Sequence, residues 1–86
     1  MDYDEMSYIL KSKIRFYIIL SLKNGNKTPK ELASKYYYLS HISTNLKMLN
    51  NKGYITCLNP KDRKNKEFTL TEKSIKMIEY LHKITK

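Results

Sequence analysis

The sequence predicts a mostly α-helical chain with one small antiparallel β-hairpin, and this fold class rests on three observations. Apolar residues recur at helical spacing in several stretches of the chain. Residues that favour helix starts and stops separate these stretches. Two short segments, 54–58 and 67–70, are rich in β-branched and aromatic residues and flank a turn that contains Pro60. Because 86 residues fit one domain, we expect residues 1–86 to form a single unit.

The first helical stretch runs from Tyr3 to Lys23 and has neither glycine nor proline. Ser12 is a candidate cap that would begin a second segment within it. Residues 14–22 are apolar almost all round, which is typical of a buried central helix, although their β-branched members leave a strand as the alternative. Gly25 suits a left-handed helix stop. The amphipathic face of the first segment consists of Tyr3, Met6, Ile9 and Leu10.

A short helix is predicted to begin directly after Thr28. The Thr28 hydroxyl can cap this helix, and Glu31 stands where the carboxylate of a capping box belongs. Pro29 occupies the first helical position, where its missing N–H costs nothing. We expect the helix to cover about residues 29–36, with residues 37–39 as the connector to the next one.

The next helix has Ser40 as its candidate cap and Gly53 as its stop. Ile42, Leu46 and Leu49 share one face at spacings of four and three residues, so we expect them to be buried. Small polar residues and one lysine cluster on the opposite face at 100° per residue. These residues are Ser40, Ser43, Thr44, Lys47 and Asn51.

The two β-segments are predicted to pair as a hairpin whose turn, residues 59–66, holds four cations and one acid. Thr71 and Glu72 then begin a last helix, which we expect to reach about Thr85. Its apolar side is predicted to contain Ile75, Ile78 and Leu81, with Met77 and Ile84 nearby.

The charge of the chain is strongly positive and unevenly distributed. Seventeen Lys and Arg against eight Asp and Glu leave a net charge of +9. Residues 1–10 hold three acids and no Lys or Arg, whereas residues 11–52 hold nine Lys or Arg and one acid. Self-repulsion of this size costs stability unless a polyanion is the partner. Nucleic acid is therefore the first partner to consider.

Several classes of protein are not expected. No apolar run approaches the ~18 residues of a membrane span, and the acidic start is unlike a secretory signal, so we expect a cytoplasmic protein. A single cysteine, Cys57, excludes an internal disulfide and a cysteine-rich zinc site. A metal site formed by Cys57, His41 and His82 would require the fold to bring three residues that are distant in the sequence together by chance, so we do not expect one. No phosphate loop or nucleophile–base set is visible, so we expect neither catalysis nor a cofactor.

Four short stretches, in this order, resemble parts of winged helix-turn-helix transcription regulators. They are residues 28–33 (TPKELA), 39–49 (LSHISTNLKML), 52–55 (KGYI) and 70–73 (LTEK). The second stretch resembles the recognition helix of that motif, and the last resembles the end of the wing in MarR-like regulators. Residues 40–43 (SHIS) and 57–60 (CLNP) are most similar to small archaeal members of the ArsR and MarR groups.

The resemblance implies a winged helix-turn-helix fold of order α-α-α-β-β-α. Its parts would be a helix-turn-helix at about 28–52, a wing at about 54–70, and terminal helices at about 3–23 and 72–85. It also implies a sequence-specific regulator of transcription that binds double-stranded DNA. The terminal helices carry more apolar residues than a monomer of this size needs, and these residues could pack within one chain or across a two-fold axis. We expect a homodimer with recognition helices about 34–36 Å apart. A small-molecule effector is unknown.

The helix predicted to follow Ser40 suits DNA, because a major groove about 12 Å wide admits one α-helix. Lys47 can reach a guanine edge or a phosphate, and Arg63 can enter the minor groove. Residues 36–38, all tyrosine, are expected to pack in the core and the turn rather than stack on bases. The candidate DNA-binding residues are Thr28, Lys30, Ser40, His41, Ser43, Thr44, Lys47, Lys61, Arg63, Lys64 and Lys66.

Two other functions stay open at this point. A winged helix can act as a protein–protein interaction module whose basic face meets an acidic partner. It can also act as a nonspecific architectural DNA-binding protein. The outward face of the predicted helix is rich in Ser and Thr and has few long side chains that could contact base edges, so this alternative stays open.

Overall fold

The computed structural model describes residues 3–84 and places five helices and one hairpin in that part of the chain. The helices are α1 (Tyr3–Leu10), α2 (Lys13–Lys23), α3 (Pro29–Leu32), α4 (Leu39–Asn51) and α5 (Glu72–Ile84), and the strands are β1 (Ile55–Cys57) and β2 (Phe68–Leu70). The two strands pair antiparallel, with Ile55 opposite Leu70. The prediction of a mostly helical chain with a small hairpin is confirmed. Thr85, the predicted end of the last helix, lies outside the described residues.

The first helical stretch is two helices with a break at Ser12. The Ser12 hydroxyl accepts a hydrogen bond from the Arg15 N–H at 3.3 Å, as a cap does. Ile18, Ile19 and Leu22 are buried in α2, so the predicted central helix is confirmed and the alternative of a strand is wrong. In α1, Met6 and Ile9 are buried as expected, whereas Leu10 is exposed. The side chain of Tyr3 lies outside the described part.

The α3 helix begins as predicted and ends early. The Thr28 hydroxyl accepts from the Glu31 N–H at 3.3 Å, and the Glu31 carboxylate accepts from the Thr28 N–H at 2.9 Å, which completes the capping box. The helix stops at Leu32 rather than near Tyr36, because Ala33 has an extended backbone with ψ at 147°. The connector to α4 is therefore longer than predicted.

The α4 helix begins one residue before Ser40, so the prediction of Ser40 as its cap is wrong. Tyr38 occupies the capping position and makes no side-chain capping bond. The end of the helix is as predicted: Gly53 has a positive φ of 81°, and its N–H donates to the carbonyl of Asn50 at 3.1 Å. The Tyr54 N–H donates to the Leu49 carbonyl at 3.0 Å, which completes a Schellman stop.

The core joins α1, α2, α4, the hairpin and α5. Ile42, Leu46 and Leu49 of α4 are all buried, as their spacing predicted. The α5 helix presents Met77 and the small Ser74 to the core, and the Ser74 hydroxyl donates to the carbonyl of Tyr54. The predicted apolar side of α5 is only partly buried, since Ile78 and Leu81 are half-buried and Ile75 is 46% exposed.

No helix in the part of the chain that the structure describes is long and apolar enough to cross a membrane.

Candidate nucleic-acid interface

The outward face of α4 is polar because its inward face is the apolar stripe of the core. Ile42, Leu46 and Leu49 are each at most 2% exposed, which fixes the rotation of the helix about its axis. The opposite residues are all exposed: Ser40, His41, Ser43, Thr44 and Lys47. The structure therefore brings together on one exposed helix face the five candidate residues that the sequence predicted there.

Two of the outward side chains are held against the helix itself. The Thr44 hydroxyl donates to the Ser40 carbonyl at 3.0 Å, and the Asn45 carboxamide donates to the His41 carbonyl at 2.9 Å. The Thr44 oxygen still has lone pairs that can accept a hydrogen bond. These hydrogen bonds to the preceding turn hold both side chains against the helix backbone, so that another surface can approach the helix closely.

One edge of α4 faces the base of the wing. Ser43 and Lys47 of α4, Pro29 of α3, and Lys66 and Phe68 of the wing line a common open groove. Lys47 of α4 and Lys66 of the wing thus share a single continuous surface. The hairpin segment beside this groove is also tied to the chain before α3, because Lys27 and Phe68 exchange backbone hydrogen bonds of 2.8 and 3.2 Å.

The tip of the wing is organised by Asp62. Its Oδ1 accepts from the backbone N–H groups of Lys64 and Asn65, each at 2.9 Å. These bonds, with Asn65 the larger influence, lower the pKa of the Asp62 carboxyl below its ordinary value. The four wing cations are all exposed: Lys61, Arg63, Lys64 and Lys66. The single acid of the turn is therefore engaged by the backbone while the cations point to solvent.

Thr28 and Lys30 lie at the start of α3. Lys30 is exposed, whereas Thr28 is half-buried and its side chain serves the capping box. The hydrogen bonds from Thr28, first that of its backbone and then that of its side chain, lower the pKa of the Glu31 carboxyl. The Thr28 hydroxyl therefore accepts from the Glu31 N–H and directs its own proton toward the Glu31 carboxylate.

Electrostatics favour an anion over this whole surface. Residues 27–66 contain nine Lys or Arg and two acids, Glu31 and Asp62. Both of these carboxylates accept backbone hydrogen bonds within the fold. The excess of positive charge is therefore a property of the same segment that forms α3, α4 and the wing.

The connector tyrosines correct the prediction that residues 36–38 pack inward. Tyr37 does so, since its ring stacks on Tyr17 with centroids 4.9 Å apart. Tyr36 is 77% exposed and Tyr38 is 65% exposed, because the connector bends at residues 35–37 and only Tyr37 is turned toward the core. Ser34 fixes this arrangement, as its hydroxyl accepts from the N–H groups of Tyr36 and Tyr37 at 3.1 and 3.2 Å. The sequence signal that could have indicated exposed aromatic residues here was the run of three successive tyrosines directly before α4.

The far end of α4 is braced by α1 and α5. Tyr8 of α1 stacks on Tyr54 with ring centroids 5.8 Å apart, and the Lys52 ammonium lies 4.8 Å from the Tyr8 ring centroid. Lys73 of α5 donates to the Lys52 carbonyl at 3.1 Å and pairs with Glu5 at 2.7 Å. These contacts link the C-terminal end of α4 to both terminal helices.

Between residues 3 and 84, no three His, Cys, Asp or Glu side chains are grouped as a metal-binding set.

The comparisons with known proteins bear on the fold. No protein-family model matches the chain, and no curated protein gives a significant match. Among solved structures, HlyU from Vibrio cholerae superposes with a TM-score of 0.71 at 23% identity, over 98% of this chain and 97% of HlyU. A possible transcriptional regulator for arsenical resistance superposes with a TM-score of 0.69 at 21% identity, over 93% of this chain and 82% of that one. The winged helix-turn-helix fold is thereby confirmed.

Proposed function

We propose that this protein is a sequence-specific regulator of transcription that binds double-stranded DNA. The observation that supports this most is the exposed polar face of α4, backed by a buried apolar stripe and continuous with a basic wing. The fold it shares with a possible transcriptional regulator for arsenical resistance supports the same function. In finer detail, we propose that it is a cytoplasmic protein akin to small archaeal ArsR/MarR-like regulators, acting as a single domain over residues 1–86.

In this proposal α4 lies in the major groove and the wing lies on the flanking backbone. Lys47 is the residue that reaches a guanine edge, while the Ser40 and Ser43 hydroxyls donate to phosphates or base edges. The Thr44 hydroxyl, which donates to the Ser40 carbonyl, accepts from a base amino group. Arg63 at the wing tip enters the minor groove, and the other wing cations contact phosphates. The full set is Thr28, Lys30, Ser40, His41, Ser43, Thr44, Lys47, Lys61, Arg63, Lys64 and Lys66.

We further propose that the active form is a homodimer built on the terminal helices. An apolar groove runs between α1, α2 and α5, and three of its lining side chains, Leu10, Leu20 and Ile84, are exposed large hydrophobics. A second copy of the chain would remove them from water. In this proposed dimer the two α4 helices would have to lie about 34–36 Å apart, because successive turns of one DNA face have that separation.

The test is a fluorescence-anisotropy titration of the full chain onto two duplexes of equal length. One is the DNA upstream of the protein's own coding region, and the other is its scrambled version, each at two salt concentrations. We expect tighter binding to the natural duplex that persists as salt rises. With six phosphate contacts, log K should fall with log salt at a slope of about −5.

A pair of lysine variants tests where the DNA lies. Lys47→Ala should weaken binding and narrow the preference between the duplexes, with an unchanged thermal midpoint because the side chain is exposed. Lys76→Ala is the matched control, since it removes the same charge from an exposed position of α5. Equal binding of Lys47→Ala and wild type would contradict the assignment of α4.

The two alternative functions give other outcomes. An architectural DNA-binding protein would bind both duplexes equally and lose both as salt rises. A protein–protein interaction module would bind neither duplex tightly but would bind one acidic protein partner. Either result would replace the proposed function.

A further inference from the structure

The exposed face of α4 has two flanks of different chemistry. On the flank beside the wing lie Ser43 and Lys47, which share a groove with the wing lysine Lys66. The other flank, turned away from the wing, holds His41 and Met48, which fall within 20° of each other at 100° per residue. We call His41, Met48 and the preceding Tyr38 the apolar flank.

The apolar flank is exposed although its members are large. Tyr38 is 65% exposed and Met48 is 38% exposed. The rings of Tyr38 and His41 lie side by side, with centroids 6.2 Å apart. A single exposed hydrophobic residue needs no explanation. Tyr38 and Met48 are two large ones on the same flank, about 15 Å apart along the helix, and the rest of the exposed face is small and polar, so this flank indicates a surface that meets apolar groups.

The position of Tyr38 is set by the fold rather than by flexibility. The Tyr37 ring is anchored on Tyr17, and the Ser34 hydroxyl holds the backbone of the connector. Tyr38 is therefore held outward at the capping position directly before α4. In helix-turn-helix proteins the N-terminal residues of the recognition helix are those that reach base edges.

We propose that the apolar flank reads the C5-methyl groups of thymines in the major groove. This inference rests on the proposed function and names the base that the site prefers. The thymine methyl is the apolar group that base edges present in the major groove, and apolar side chains are its usual partners. The site recognised by each α4 then has thymines on the side away from the wing, next to the base contacted by Lys47.

The test uses deoxyuridine, which pairs like thymine and lacks only the methyl group. Duplexes are first selected from a pool with 20 random base pairs by the full chain. The best duplex is then made again with every thymine of its recognised site replaced by deoxyuridine. We expect wild type to bind the deoxyuridine duplex about fourfold more weakly for each methyl that the protein buries.

Variants locate the effect on the helix. Tyr38→Ser and Met48→Ser should each reduce the discrimination between the two duplexes, and the double variant should bind both alike. Lys47→Ala is the control on the opposite flank: it should weaken binding to both duplexes and keep their ratio. Because Tyr38 and Met48 lie outside the buried core, all variants should keep the helical circular-dichroism signal of wild type.

The outcomes separate this inference from the function on which it rests. If no duplex is enriched and none binds, both are overturned. If the selected duplex binds well and the deoxyuridine version binds equally, the function stands and the inference is overturned. If wild type discriminates but the double Tyr38→Ser, Met48→Ser variant discriminates as well, the methyl groups are read elsewhere and the inference is again overturned.

Discussion

The carboxamide of Asn59 donates a hydrogen bond from Nδ2 to the backbone carbonyl of Asn65 at 2.7 Å, across the loop of the wing. Its Oδ1 accepts from the Glu67 N–H at 2.7 Å, so one side chain joins both arms of the loop. Asp62 closes the tip inside this bridge. The wing cations are thus presented by a loop with its own hydrogen bonds rather than by a free coil.

The first prediction concerns this bridge. Asn59→Ala removes both bonds and should free the loop, because the Glu67 N–H and the Asn65 carbonyl then lose their side-chain partner. We expect faster amide hydrogen exchange at Glu67 and weaker DNA binding, with little change in global stability since these groups are exposed. Asn26→Ala, in the exposed loop before α3, is the control. Unchanged exchange at Glu67 would contradict the role of the bridge.

The second prediction concerns the stripe that holds α4 in place. Leu46 is 2% exposed, so Leu46→Ala deletes a buried anchor and should lower the free energy of unfolding by about 2–5 kcal/mol. Urea unfolding followed by circular dichroism measures this loss. Met48→Ala, two residues on and on the exposed side, should change the midpoint far less. Equal losses for the two variants would mean that α4 is rotated from the orientation described above.

Local signals in the sequence were enough for much of this fold. The spacing of Ile42, Leu46 and Leu49 gave the buried side of α4, and the Thr28 capping box gave the start of α3, because both depend on residues within one or two helical turns. The Gly53 stop was predictable for the same reason, since only its positive φ was needed.

The connector was not predictable in this way. The end of α3 at Leu32 and the outward turn of Tyr38 depend on Tyr37 packing against Tyr17, which is twenty residues earlier in the chain. Capping chemistry alone favoured Ser40 as the start of α4, and tertiary packing of the connector placed the start at Leu39 instead. The exposure of the polar residues of α4 was therefore predictable from the sequence, whereas the exposure of Tyr36 and Tyr38 was not.

The third prediction concerns acid stability. Hydrogen bonds from Thr28 lower the pKa of Glu31 in the folded chain below its ordinary value of 4.5. The ionised form then favours folding, so its contribution is fully present above pH 4.5 and is lost as the pH falls through the lower folded value. Wild type and Glu31→Gln should therefore differ in unfolding free energy at pH 7 and converge in acid.

The Glu31 carboxyl can also be followed directly by NMR titration, and its midpoint should lie below 4.5. Thr28→Ala removes the bond from the Thr28 side chain to the Glu31 carboxyl and should move the midpoint upward, whereas Thr28→Ser keeps the hydroxyl and should leave the midpoint in place. A midpoint at or above 4.5 in wild type would contradict the capping box as the cause.

The fourth prediction concerns the proposed dimer. Leu20 lines the apolar groove between the terminal helices and is already 40% exposed, so a charge at this position should not break the core. In a dimer the same carboxylate would be taken out of water against the apolar side chains of the groove, which is unfavourable. We expect sedimentation to give wild type about twice the 10.3 kDa of one chain and to give Leu20→Glu that of a single chain.

Leu58→Glu is the matched control, because Leu58 is 51% exposed on the wing, away from the groove. It should leave the sedimenting mass unchanged, and both variants should keep the helical circular-dichroism signal of wild type. A wild-type particle of 10.3 kDa at working concentration would remove the homodimer, and with it the spacing of two recognition helices. If Leu20→Glu stayed dimeric, the second copy would have to pack on another face. A carboxylate buried against the apolar side chains of this groove would destabilise an interface there.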